Sequence, residues 1–214
     1  MRTAIGRLRQ SIAGAITTAS TTIEKTRAEF NFDSIRAHVA PMSRVLDVGA
    51  WRCYLGMFLR DRLDCDVLSL DVVDASRTDV PFRLFDGRTL PVESRAFDVV
   101  LFLYVLHHAA DDGILLREAR RALADTGRLI VAEDCVDGLW NRARTIGFHV
   151  WLWMVTRMTW HQFRTTGEWE ERFREIGFDV STRVDLGPHL GRRLWPRNTL
   201  FVLTKSAARE AAAG

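Results

Sequence analysis

The chain has 214 residues, of which 47% are hydrophobic and 27% are charged. This length and composition are typical of one globular domain, and they exclude a wholly disordered chain, a collagen and a low-complexity scaffold. The 30 Lys and Arg residues nearly balance the 27 Asp and Glu residues, so the net charge of +3 does not by itself indicate a nucleic-acid-binding protein.

The cysteines and the N-terminus predict the compartment. Cys53, Cys65 and Cys135 are odd in number and lack zinc spacing, which favours reduced thiols and argues against both a disulfide framework and a metal site. The start of the chain is too weakly apolar for a signal-peptide core, and no apolar run is long enough to span a bilayer. We therefore expect a cytoplasmic protein. Residues 1–23 contain arginine and threonine but no acid, so an organellar transit peptide stays open as an alternative.

The first elements are predicted to be helical. Isoleucines and leucines recur at helical spacing over residues 5–23, which predicts an amphipathic helix. A second, short helix is predicted from Phe32 to Val39, because Pro41 would end it.

The central part of the chain alternates between strands and helices. Predicted helices span Tyr54 to Leu63 and Asp111 to Ala124. Short apolar runs predict five strands, at 44–49, 67–71, 82–85, 97–104 and 128–132. This alternation is typical of βαβ units and indicates a parallel sheet with helices on both faces.

The last third of the chain has a different pattern. Residues 134–164 form a long segment that holds four of the seven tryptophans. Thr165 and Glu168 have the spacing of a capping box and predict the start of a helix that ends at Gly177. Two further strands, near 180–186 and 199–204, are joined by a loop too short for a crossover helix, so we expect them to pair antiparallel.

Acidic residues lie at or near the ends of the first three predicted strands. They are Asp47, Asp71 and Asp86. Asp71 follows Gly49 by 22 residues, a spacing that suits a carboxylate accepting hydrogen bonds from the two hydroxyls of a ribose bound at the first βα turn. The alternative is structural, with Asp71 capping a helix and Asp86 belonging to the Asp86-Gly87 turn.

Four segments carry a resemblance to a known family. They are Val45-Leu46-Asp47-Val48-Gly49, Leu70-Asp71, Leu84-Phe85-Asp86-Gly87-Arg88-Thr89-Leu90-Pro91, and Phe97-Asp98-Val99-Val100 with the following Val105-Leu106-His107-His108. With them the chain resembles the class I S-adenosylmethionine-dependent methyltransferases, most closely their small-molecule "type 11" branch. The resemblance covers about residues 42–135 well and 165–205 loosely.

The resemblance implies an α/β fold, namely a Rossmann-like doubly wound sheet of seven strands. The sheet would be mostly parallel with a C-terminal antiparallel strand, and helices would cover both faces. The implied organisation is an N-terminal helical cap at 1–40, a methyltransferase domain at 41–206 with an aromatic insert at 136–164, and a disordered tail at 207–214. The implied activity is methylation with S-adenosyl-L-methionine as cofactor.

The resemblance also assigns roles in cofactor binding. The first motif would wrap the methionine part, Asp71 would hold the ribose hydroxyls with Val72 against adenine, and Asp86 would accept from the adenine amino group. Leu103 and Tyr104 would flank the methionine moiety. The implied cofactor-binding residues are Asp47, Gly49, Ala50, Trp51, Asp71, Val72, Asp86, Gly87, Leu103 and Tyr104.

The glycine loop departs from the family pattern. Instead of Gly-x-Gly-x-Gly it reads Gly49-Ala50-Trp51-Arg52-Cys53, and a side chain at the second glycine position intrudes where backbone usually approaches the ligand. Either Trp51 turns outward or stacks on the cofactor while Arg52 meets its carboxylate, or Trp51 fills the pocket. The second alternative predicts a non-catalytic methyltransferase-like binding domain.

His107 and His108 are the predicted catalytic residues, because they follow the fourth strand at the mouth where substrate would enter. Glu133, Asp134, His149 and His161 are further candidates for a general base. The alternative for the histidine pair is that it caps or packs the helix start at Asp111.

The aromatic insert at 136–164 predicts the class of molecule that accepts the methyl group. Tryptophans between arginines over residues 140–160 favour an apolar or aromatic small molecule or a lipid, and they also favour peripheral membrane contact. The alternative is that these aromatics only cover the sheet. We expect a small-molecule substrate, no nucleic-acid partner, and a monomer or homodimer.

Overall fold

A seven-stranded sheet organises the computed structural model, which describes residues 21–156, 162–188 and 195–207. The strand order is β3-β2-β1-β4-β5-β7-β6. The strands are β1 (Arg44–Val48), β2 (Asp66–Asp71), β3 (Phe82–Leu84), β4 (Phe97–Leu103), β5 (Leu123–Asp134), β6 (Phe178–Pro188) and β7 (Arg197–Lys205). Strands β1 to β5 pair in parallel, and β7 runs antiparallel to both β5 and β6. The predicted fold class and the antiparallel pairing of the last two strands are confirmed.

The core has two layers because successive side chains of a strand face opposite sides of the sheet. Val45 and Leu101 contribute to one layer, while their neighbours Leu46 and Phe102 contribute to the other. The helices α2 (Tyr54–Leu63), α3 (Asp112–Ala122), α4 (Leu139–Thr156) and α5 (Thr166–Ile176) follow the strands. Leu55 and Leu59 of α2 pack in the first layer, whereas α3 and α5 supply apolar side chains to the second.

The N-terminal helix, α1, occupies 21–35 within the described residues and continues into a 3-10 turn at Arg36–His38. The predicted break between two helices, one at 5–23 and one at Phe32 to Val39, is wrong, because Ala28, Phe32 and Ile35 form one buried stripe against the sheet. The rest of the first predicted helix lies outside the described residues.

The boundary between α3 and β5 also differs from the prediction. Asp111 caps α3, since its side chain accepts a hydrogen bond from the Ile114 amide at 3.2 Å. The helix ends at Ala122 rather than Ala124, and β5 begins at once because the buried Leu123 pairs with Phe97 of β4 before an irregularity in the register. Strand β5 therefore starts five residues before the predicted Arg128.

The last helix agrees with its prediction. Thr165 and Glu168 form a capping box, and Gly177 ends α5 with φ of 93°. Of the predicted tail, 208–214 lies outside the described residues. In the part of the chain that the structure describes, no helix is both long and apolar enough to cross a bilayer.

Candidate cofactor and acceptor site

The loop after β1 is built around a glycine whose replacement would strain the backbone and crowd a neighbouring side chain. Gly49 has φ of 78°, and a Cβ at this position would lie 2.3 Å from Cγ2 of Val105. The Gly49 and Ala50 amides both donate to the Leu70 carbonyl, at 2.8 and 3.1 Å. The loop is thus hydrogen-bonded to the end of β2 and lies close to Val105, which follows β4, at the carboxyl edge of the sheet.

The Trp51 ring lies outside this loop. Its side chain is 44% exposed, and its indole Nε1 lies 3.4 Å from Oε1 of Glu24 on α1. The Arg52 guanidinium lies 5.3 Å from the ring centroid, and its Nε is 3.3 Å from Oε2 of the same glutamate. The geometry corresponds to the first alternative for Trp51, in which the ring turns outward, although Arg52 is engaged by Glu24.

Two buried carboxylates lie beneath the loop. Asp71 accepts from the Trp51 amide at 2.7 Å and from the Val73 amide at 3.1 Å. Asp47 is 3% exposed, and its Oδ2 accepts no hydrogen bond from any residue that the structure describes. Burial, together with repulsion from Asp71, raises the pKa of Asp47 to about 7. An oxygen in this state is suited to a ligand that brings a hydrogen-bond donor or a positive charge.

The third acid stabilises its own turn. Asp86 is exposed, and its Oδ1 accepts from the Arg88 and Thr89 amides at 2.8 and 2.7 Å, which lowers its pKa. Gly87 has φ of 76°, and a Cβ there would approach Cγ1 of Val72 to 3.3 Å. Gly87 and Val72 are therefore close neighbours, next to Asp71 in the chain. Asp86 serves the Asp86-Gly87 turn, as the structural alternative expected, and its contact with adenine stays a prediction.

Tyr104 connects this edge to the rest of the site. Its φ is 61°, its amide donates to the Ala132 carbonyl at 2.7 Å, and its hydroxyl lies 3.4 Å from Oδ1 of Asn198. Burial raises the pKa of this phenol. The Arg27 guanidinium of α1 lies 5.3 Å from the ring centroid. Tyr104 thus lies between α1 and β7, while the half-buried Leu103 packs against the same apolar cluster.

His107 is buried against a carboxylate at the end of β5. Its Nδ1 forms a short contact with Oε2 of Glu133, whose Oε1 accepts from the Val105 and Leu106 amides at 3.1 and 2.7 Å. Burial raises the pKa of Glu133 and lowers the pKa of His107.

The helix of the aromatic insert adds a second buried histidine. His149 Nδ1 lies 3.0 Å from the Thr145 carbonyl, and His149 Nε2 lies 3.4 Å from Nε2 of His107 and 3.5 Å from Oδ2 of Asp134. The His108 ring centroid is 4.0 Å from that of His107. Burial lowers the pKa of His149.

The structure brings most predicted site residues to one edge of the sheet. The cofactor candidates surround the loop after β1, and the candidates His107, His108, Glu133, Asp134 and His149 form a separate cluster at the ends of β4 and β5. His161 lies outside the described residues. Sequence reasoning missed Glu24, Arg27 and Asn198. No local signal marks them, because the docking of α1 and β7 brings them here.

One signal was visible in α4. Its inward side chains are Asn141, Thr145 and His149, at a spacing of four, while most of its apolar side chains face outward. A surface helix of a globular protein has the opposite arrangement. A polar stripe on the inner face of an apolar helix therefore indicates a site beneath it.

Comparison with known proteins establishes the family. The model of the methyltransferase-domain family matches residues 6–182, which is most of the chain. The chain belongs to this family, and the resemblance to class I S-adenosylmethionine-dependent methyltransferases is confirmed. No curated protein sequence matches the chain significantly.

Solved structures share the architecture. A SAM-dependent methyltransferase from Thermotoga maritima is 15% identical with a TM-score of 0.66, over 88% of this chain and 96% of that chain. A SAM-dependent methyltransferase from Mesorhizobium loti is 17% identical with a TM-score of 0.65, and the match covers 81% of this chain and 97% of that chain. The [4+2]-cyclase SpnF is 14% identical with a TM-score of 0.64, and the match covers 84% of this chain and 81% of that chain. At these identities the likeness concerns the fold, and the family implies S-adenosylmethionine as cofactor.

Proposed function

We propose that the chain is an S-adenosylmethionine-dependent methyltransferase that acts on a small apolar or aromatic molecule or a lipid. One observation carries the proposal. The altered loop keeps the turn at Gly49 with the Trp51 ring outside, and the buried Oδ2 of Asp47 beneath it has no partner among the described residues. An unpaired buried oxygen costs free energy, so it suits a site that a ligand completes.

The residues around the loop fit this cofactor. Each carboxylate oxygen of Asp71 has a second lone pair beyond the one that accepts a backbone amide, so both can still accept from ribose hydroxyls. Val72 is 57% exposed and offers an apolar surface for adenine. Asp47 would hold the cationic methionyl end. Once bound, the cofactor supplies an activated methyl group, so that the protein has chiefly to align the acceptor, an effect worth roughly 7–11 kcal/mol.

The histidine cluster would engage the acceptor. His107 is held in one orientation by Glu133, and the neighbouring His108 is only partly buried, so it can reach an acceptor in the cleft. We assign His107 and His108 as the catalytic residues on this basis. Their part is to hold and orient the heteroatom that receives the methyl group.

The outer face of α4 supports an apolar acceptor presented at a lipid surface. Trp140 is 90% exposed and Trp151 is 53% exposed, and Leu139, Val150 and Met154 are exposed beside them. The helix contains Arg142 and Arg144 but no acidic residue. Tryptophan with arginine suits the interface of an anionic membrane, so peripheral contact through this helix would bring a lipid or apolar acceptor to the site.

A non-catalytic binding domain is the second candidate. The specific observation in its favour is that both oxygens of Asp71 already accept amides, one of them from Trp51 itself, which places a large residue in the loop next to the ribose site. The architecture alone does not decide, since the cyclase SpnF shares it.

Calorimetry separates the two candidates. The wild-type chain should bind S-adenosylmethionine and its demethylated product. Asp71→Ala should weaken binding by about 100-fold or more, because two hydrogen bonds to a charged acceptor are lost. Asp66→Ala is the matched control, since Asp66 is exposed at the opposite end of the same strand.

The result that would overturn the proposal is the absence of both heat and a thermal shift at millimolar cofactor, which would favour the binding domain. If binding is found, transfer of a labelled methyl group to a panel of phenols, amines and lipids then identifies the acceptor class.

A further inference from the structure

Two imidazole nitrogens face each other in the histidine cluster. The Nε2 atoms of His107 and His149 lie 3.4 Å apart, and both rings are almost fully buried. An ion bonded to both at about 2.05 Å would have an N–metal–N angle of about 110°, close to the tetrahedral value, at this separation.

The opposite nitrogen of each ring is anchored. His107 Nδ1 contacts Glu133, and His149 Nδ1 contacts the Thr145 carbonyl one turn earlier in α4. Carboxylates and backbone carbonyls are the usual partners that orient a metal-binding imidazole and leave its other nitrogen as the ligand. Phe163 packs against the His149 ring at 4.5 Å between centroids and further restricts it.

A third ligand is within reach. One ring nitrogen each of His107, His108 and His149 lie within 4.8 Å of one another, and His108 is the least buried of the three. Asp134 Oδ2 lies 3.5 Å from His149 Nε2 and adds negative charge beside the cluster.

We propose that His107, His108 and His149 form a binding site for a divalent transition-metal ion of the zinc class. Imidazole ligands suit zinc, nickel, copper and iron, whereas magnesium and calcium require oxygen ligands. Three protein ligands leave a fourth position open, as in catalytic rather than structural zinc sites. That position would bind an oxygen or sulfur atom of the methyl acceptor, and this last step alone rests on the proposed methyl transfer.

Cobalt titration of the tag-free, chelator-treated full chain tests the site without cofactor or turnover. We expect one equivalent of Co²⁺ to bind with visible d–d absorption of a tetrahedral ion, and Zn²⁺ to displace it. His149→Ala and His107→Ala should abolish this absorption. Glu133→Gln should weaken binding by about 10–100-fold, the usual effect of removing a partner that orients a ligand.

His38→Ala is the matched control and should bind as the wild type does, because His38 follows α1 at the opposite edge of the sheet. If the wild-type chain shows no tetrahedral cobalt spectrum, or if His149→Ala retains it, the proposal is overturned. A chain of hydrogen bonds from Glu133 through His107 to His149 would then account for the geometry. Metal binding without methyl transfer would leave the metal site standing and remove only the acceptor step.

Discussion

Trp51 and Glu24 lie 3.4 Å apart between the indole Nε1 and Oε1, which ties the loop after β1 to the N-terminal helix. The same glutamate pairs with Arg52, so Trp51, which stands at the second glycine position of the family pattern, and the residue that follows it both contact α1. The side chains of Trp51 and Arg52 therefore have a structural role, which is to hold the loop against α1. The Trp51 ring is 44% exposed and faces α1, whereas Asp47 and Asp71 are buried.

Substitution of Gly49 should destabilise the fold. Gly49→Ala would adopt a left-handed conformation and place Cβ 2.3 Å from Val105, so we expect the free energy of unfolding to fall by about 2–4 kcal/mol. Gly147→Ala is the control, because nothing lies within 4 Å of its Cβ in helix α4, and it should raise stability by about 0.5–1 kcal/mol. Urea denaturation measures both. Equal effects of the two substitutions would contradict the account of the loop.

Two replacements of Trp51 distinguish the effect of its left-handed backbone on stability from the effect of its large side chain on cofactor binding. Its φ of 49° is one that glycine adopts freely, so Trp51→Gly should be more stable than Trp51→Ala by about 1–2 kcal/mol. Both variants should bind S-adenosylhomocysteine within about threefold of the wild type, because the ring lies outside the cleft. Denaturation and calorimetry provide the two readouts. A large gain in affinity in both variants would show that the ring obstructs the site.

The titration of Asp47 predicts a pH dependence of stability. Its pKa is raised to about 7 in the folded chain from 3.8, so the native state holds a proton that the unfolded state has lost. The contribution of Asp47 to stability is therefore fully present below pH 4 and is lost as the pH rises to about 7.

Asp47→Asn removes this titration. Relative to the wild type, the variant should gain up to about 4 kcal/mol between pH 4 and pH 8, with most of the change below pH 7. Urea denaturation of both proteins at several pH values gives the difference directly. Parallel stability curves would show that Asp47 does not titrate in this range.

The sheet could be predicted from local patterns. Helix α2 has its predicted bounds, since the positive φ of Cys53 and Asp64 bracket it where the apolar spacing starts and stops. The capping box likewise marks the start of α5. The end of α3 could not be predicted, because Leu123 suits a helix as well as a strand and is drawn into β5 by its pairing with Phe97.

The site could be predicted only in part. Asp71 ends β2 and His107 follows β4, and the parallel sheet alone brings both to one edge. The contact between His107 and His149 spans 42 residues and depends on where α4 lies, which no local pattern specifies. The positions of Glu24 and Arg27 depend in the same way on the docking of α1.

The apolar outer face of α4 predicts binding to anionic vesicles. Trp140→Ser combined with Trp151→Ser should reduce co-sedimentation with such vesicles by at least about tenfold, because two interfacial aromatic side chains are lost. Leu84→Ser, an exposed apolar residue on β3, is the control and should sediment as the wild type does. Binding should also weaken with salt, which screens the arginines of α4. Failure of the wild type to sediment at low salt would contradict the membrane contact.

A structure of the chain with S-adenosylhomocysteine tests the central claim most directly. We predict ribose hydroxyls on Asp71, adenine against Val72, the amino end of the methionyl group near Asp47, and the Trp51 ring still beside Glu24. A nucleoside bound elsewhere, or an indole turned into the cleft with Asp71 bonded only to protein, would contradict the claim that the altered loop holds the cofactor.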